Sequence, residues 1–88
     1  VAVLDDDESR RRLSVYSTQC GAMLYTGNWL ADNLPVGKSG RRYADHDGVA
    51  IECQGAPDAP NHLLLPCQVL MPGETYRHVI KYAFSINC

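Results

Sequence analysis

The sequence predicts an all-β fold. No apolar run keeps a helical period before a Gly or Pro interrupts it, several short segments alternate apolar with polar residues, and the connections are dense in Asp, Asn, Gly and Pro.

Each element follows in order. Val1-Ala2-Val3-Leu4 resembles the tail of a strand, and Asp5-Asp6-Asp7-Glu8-Ser9 is a polar turn. Leu13, Val15 and Ser17 then alternate with Arg12, Ser14, Tyr16 and Thr18, which gives a half-buried strand interrupted at Gln19-Cys20-Gly21. Ala22 to Thr26 reads as a second strand, ended by Gly27-Asn28, a pair that readily takes positive φ. From Ala31 to Asp47 the chain is a long loop with a tight turn at Gly37-Lys38-Ser39-Gly40. Val49, Ile51 and Cys53 alternate with Ala50, Glu52 and Gln54, so a third strand places Glu52 and Gln54 on one face.

Gly55 to Asn61 contains two prolines, which fix φ and remove donors, so no regular structure is expected there, only an ordered loop or a flexible tip. Leu63-Leu64-Leu65 and Val69-Leu70-Met71 suit strand ends or an edge, and Pro72-Gly73 is a turn. The final strand is expected to be long, roughly ten or more residues by the alternation rule. Tyr76, His78, Ile80, Tyr82, Phe84 and Ile86 share one of its faces. Strands alone imply a sandwich or part of one, because an isolated five-strand piece leaves open edges and an uncovered apolar face.

Composition narrows the function classes. The chain has 88 residues and a net charge of −2, which allows one domain at most and supplies no positive field for nucleic acid or an anionic membrane. The basic clusters Arg10-Arg11-Arg12 and Arg41-Arg42 read as solvated turns, the first offset by the acidic run before it. No stretch is long and apolar enough for a membrane span, and the start lacks the layout of a signal peptide. The expected setting is soluble and cytoplasmic. Gly37-Lys38-Ser39 is not a P-loop, since the upstream Gly and the following helix are missing.

Four cysteines allow two disulfides in a small secreted domain, yet none forms a C-x-x-C pair. Their spacing supports neither zinc nor redox chemistry, and reduced cysteines acting as small hydrophobes are the expected state. No metal site is expected.

Glu52 is the candidate for chemistry. A carboxylate between Ile51 and Cys53, sharing a strand face with the Gln54 amide, is either a solvent-facing Glu on a one-sided sheet or a carboxylate in a partly dry cleft. In the second setting its proton affinity rises and it can act as a general base toward a substrate hydroxyl. His46 either orients a ligand or hydrogen-bonds a turn, and His62 and His78 read as satisfied structural histidines. Asp58 is either a ligand contact or a residue that fixes its own loop. Trp29, Tyr25 and Tyr43 are read as packing residues near the long loop.

Four segments carry a resemblance that periodicity does not supply. They are Leu24-Tyr25-Thr26-Gly27-Asn28, Gly48-Val49-Ala50-Ile51-Glu52-Cys53-Gln54, Pro57-Asp58-Ala59-Pro60-Asn61, and Leu70-Met71-Pro72-Gly73-Glu74-Thr75-Tyr76, closed by Tyr82-Ala83-Phe84. In this order and spacing the chain resembles the C-terminal part of the aldose 1-epimerase (galactose mutarotase) family. The resemblance implies that residues 1–88 are the C-terminal fragment of a single large antiparallel β-sandwich domain, with the rest of the sandwich as its partner.

It further implies interconversion of the α and β anomers of an aldohexose such as galactose or glucose, without a cofactor. Glu52 matches the family's general base, and Gln54 closes the same motif as a substrate-binding residue. The family's Thr beside the base is Cys53 here, its Gln-Pro-Gly is Gln19-Cys20-Gly21, and its sugar-contacting Gln is Met23. The thioether cannot reproduce an amide's two-way bonding, a loss of around 0.5–1.5 kcal/mol in binding. That change leaves a non-catalytic carbohydrate-binding relative as the alternative. His46, His62 and His78 do not match the family's catalytic histidines, so the general acid is expected outside these residues. The 88 residues alone are expected to be inactive.

Overall fold

The computed structural model describes residues 1–32, 35–66 and 68–87. Five strands are present: β1 (Ala2–Asp5), β2 (Arg11–Ser17), β3 (Gly21–Tyr25), β4 (Ala50–Gln54) and β5 (Ile80–Ile86). Among the described residues one 3-10 turn is present, spanning Ala59–Asn61. The all-β expectation holds among the described residues.

The chain divides into two compact units, one made of residues 1–22 and 53–88, the other of residues 23–52. The first contains a three-stranded sheet in the order β1-β2-β5. Both pairings are antiparallel, with Leu4 opposite Leu13 and Leu13 opposite Phe84, and with Ala2 opposite Val15 and Val15 opposite Tyr82. Because side chains alternate along each strand, these two rows fall on one face. Val15, at the centre, is 1% exposed and is the largest fully buried side chain, whereas Phe84 on the edge strand is 79% exposed.

The opposite face is polar. Asp5 stands opposite Arg12, and Tyr16 stands opposite Lys81, whose ammonium lies 5.6 Å from the ring centre. The sequence assigns Arg10-Arg11-Arg12 to a turn, but only Arg10 ends the turn, at φ 59°. Arg11 and Arg12 begin β2, because the Arg12 charge is met across the sheet by Asp5.

Three expected strand segments differ. The final strand is seven residues long. Its earlier part loses the ladder because β2 ends at Ser17 and the Thr18 hydroxyl accepts the Val79 N–H at 3.0 Å while bonding His78 Nδ1 at 3.1 Å. Neither Leu63–Leu65 nor Val69–Met71 is a strand. Leu65 N–H bonds the His62 carbonyl at 3.0 Å, closing a turn that leaves Leu63 and Leu64 in solvent.

In the second unit, Gly40 N–H bonds the Gly37 carbonyl at 2.9 Å, the tight turn expected there. Tyr43 packs its ring edge on Gly37, where an added Cβ would meet the phenol at 3.0 Å. Trp29 departs from its packing assignment: it is 70% exposed, and its backbone is held by the N–H donating to the Tyr25 hydroxyl at 3.1 Å and by the carbonyl accepting the Asp32 N–H at 3.4 Å.

Candidate functional site

Glu52 lies in β4, and its side chain is exposed. Among the described residues Glu52 faces solvent. The carboxylate is reachable by a solute, as a general base must be. Gln54, two residues on in the same strand, is half-buried. Met23 lies in β3, and β3 pairs with β4 in a two-stranded sheet. Met23 is 45% exposed.

The approach to β4 is tightly built. Gly27, at the end of β3, has φ 75°, and a Cβ there would come within 2.6 Å of Leu30 Cδ1 and 2.8 Å of the Gly48 carbonyl. Only glycine satisfies both the backbone conformation and the space. His46 sits across from it at φ 67°. The His46 backbone N–H donates to the Gly27 carbonyl at 2.8 Å, and His46 Nδ1 meets the Thr26 carbonyl at 2.9 Å. The turn role weighed for His46 is therefore the observed one. Asp47 closes its own turn, accepting the Ala44 N–H at 2.9 Å, and Asp45 accepts the Ala31 N–H at 2.9 Å.

The remaining candidates resolve as structural. Asp58 adopts φ 58° and accepts bonds from the Asn61 amide and from His62 Nε2, the latter at 3.1 Å, which fixes the 3-10 turn. Cys20 is free and exposed, and Cys53 is free and half-buried. Cys67 and Cys88 lie outside the described residues. No group of three or more metal-ligating side chains occurs among the described residues, and no helix there is long and apolar enough to cross a membrane.

Within the first unit, an open cleft of about 340 Å³ is bordered by Thr18, Gln19, Gln68, Tyr76 and His78. The Gln19 amide donates to the Tyr76 hydroxyl, and the Tyr76 and His78 rings lie 4.6 Å apart. Sequence reasoning did not bring these groups together, since the pairing of Gln19 with Tyr76 joins positions 57 residues apart.

Antiparallel strand pairing and almost no helix among the described residues define an all-β protein. Residues 1–83 match the aldose 1-epimerase family, and the chain belongs to that family. It is 46% identical over 78 residues to galactose mutarotase of Rattus norvegicus and 45% identical over 78 residues to that of Homo sapiens. It is 36% identical over 80 residues to aldose 1-epimerase of Escherichia coli (strain K12). These alignments cover 88–89% of this chain and 22% of each relative, so the chain spans about a fifth of their length.

Proposed function

We propose that this chain is the C-terminal part of a single β-sandwich domain that interconverts the α and β anomers of an aldohexose such as galactose or glucose, with Glu52 as the general base. Family membership supports the reaction class. The observation that carries the assignment is the accessible Glu52 carboxylate on β4, inside the segment that matches the family's base motif.

The chemistry asked of Glu52 is limited. It removes the proton from the C1 hydroxyl while an acid supplied by the remainder of the domain protonates the ring oxygen. The C1–O5 bond breaks, the open-chain aldehyde turns about C1–C2, and reclosure on the other face reverses both transfers. One group must be unprotonated and the other protonated at the same pH, which is the usual demand of paired acid–base catalysis. Gln54 and the residue at position 23 serve substrate binding. Free Cys20 and Cys53 fit a reducing compartment such as the cytoplasm.

The test is Glu52→Gln in the full-length protein, assayed by polarimetry on freshly dissolved α-galactose. Loss of about a hundredfold or more in rate is expected, at the lower end of what a positioned base contributes. An unchanged rate removes Glu52 from the mechanism. Met23 favours one other reading, a carbohydrate-binding relative without activity. Sugar binding by the wild-type protein with no acceleration of anomerisation would establish that alternative.

A further inference from the structure

The geometry points to His46 as a positioning residue for Glu52, acting by fixing the segment that leads into β4. The inference rests on the assignment of Glu52 as the base.

His46 holds a left-handed backbone, φ 67°, which non-glycine residues adopt seldom, although His is among those enriched there. The conformation persists because two bonds over-determine it. The backbone N–H is bound to the Gly27 carbonyl at 2.8 Å, and the ring reaches the preceding carbonyl, Thr26, at 2.9 Å. A carbonyl oxygen accepts only, so Nδ1 carries the proton in this contact. The bond is therefore available both to the neutral Nδ1–H tautomer and to the imidazolium, and it does not depend on the charge of the ring.

These contacts join the end of β3 to the start of the run Asp47-Gly48-Val49 that becomes β4. Gly27 lies so close to the Gly48 carbonyl that an added Cβ would stand 2.8 Å away. The two connections thus have little room to slide. Without the ring contact, the backbone N–H bond and the Gly27 approach remain, but one of three restraints on the approach to β4 is gone. Glu52 then samples a wider range of positions. Proton transfer in the transition state is sensitive to displacements of an ångström or less, whereas sugar binding through other groups is less so. The lever is kcat more than KM.

The test uses the full-length protein and the variants His46→Gly, His46→Asn, Glu52→Gln and the double variant H46G/E52Q. Glycine accepts the left-handed backbone without strain and deletes the whole side chain, ring included, while asparagine tolerates that backbone and carries an N–H donor. For H46G, kcat is expected to fall roughly tenfold or more with KM within about twofold. H46N is expected to recover most of that loss, and in the E52Q background H46G should cost little further.

Parental kcat in H46G beside a strongly slowed E52Q overturns the role of His46 and leaves Glu52 as the base. Equal losses in H46G and H46N overturn it too, because the donor would then not be the lever. So does full additivity in the double variant, or failure of H46G to fold. An active E52Q sinks the Glu52 assignment itself and the inference with it.

Discussion

Asp5 and Arg12 stand directly opposite one another on β1 and β2 and are joined by two charge-assisted bonds, Nε to Oδ1 at 2.6 Å and Nη2 to Oδ2 at 2.8 Å. The paired geometry uses both carboxylate oxygens and two nitrogens on one edge of the guanidinium group. Asn87, one residue beyond β5, donates to the same Oδ1 at 3.3 Å, so one carboxylate is contacted from the strand beside it and from the far edge of the sheet. The polar face is thereby pinned across all three strands.

That arrangement gives a pH dependence with a defined sign. The hydrogen bond from Arg12 holds the Asp5 carboxyl below its ordinary value, assisted by the Arg12 charge and by Asn87. A depressed folded-state value means that the unfolded chain binds the proton more readily, so the stabilisation is present above the unfolded carboxylate range. It is lost as the pH falls below about 4 and through the folded value. Asp5→Asn should lower the thermal midpoint slightly at neutral pH, with the difference closing in acid. Both side chains are partly open to water, so high salt should shrink the effect. A midpoint difference independent of pH would mean that Asp5 acts through packing.

Gly27 supplies a prediction about the approach to Glu52. Replacement by Ala meets a positive φ together with obstruction by Leu30 and the Gly48 carbonyl, while the same change at Gly73, φ 89°, meets open space. Gly73→Ala should therefore cost only the backbone term of about 1–2 kcal/mol, and Gly27→Ala should cost more than that, because a carbonyl must also move. Chemical denaturation of the full-length variants measures the difference. Equal losses at the two sites would show that the Gly48 carbonyl yields without cost.

How much of this was legible in the sequence depends on how local the cause is. The alternation of Leu13, Val15 and Ser17 identified β2 because the sheet buries one face at Val15. The length of β5 was not legible. It is set by the Thr18 hydroxyl, which takes the Val79 N–H from a position 61 residues away. Arg11 and Arg12 read as turn residues because charge in a run suggests solvent, and nothing in the run itself reveals that Asp5 will stand across from Arg12. The same limit applies to the candidate site. Periodicity placed Glu52 on a strand face but left its setting open, and the motif around it, not its spacing, set it apart from an ordinary surface carboxylate. His46 was legible as a turn residue, but its partners at Thr26 and Gly27 lie across a long loop that carries no periodic signal.

On the proposed reading, Met23 stands where the family resemblance implies a sugar-contacting glutamine. A thioether accepts hydrogen bonds weakly and donates none, whereas a glutamine amide does both. Met23 is partly exposed on β3, so an amide there has room to meet a hydroxyl without being buried unpaired. Met23→Gln in the full-length protein should lower the KM for galactose by a few-fold to about tenfold, the ratio expected for one net hydrogen bond of 0.5–1.5 kcal/mol. The kcat should change less, because the contact is made to ground state and transition state alike. If KM is unchanged for galactose and glucose but improves for another aldose, position 23 selects among sugars. If no sugar responds, position 23 does not face the substrate, and its assignment to the binding site falls while that of Glu52 stands.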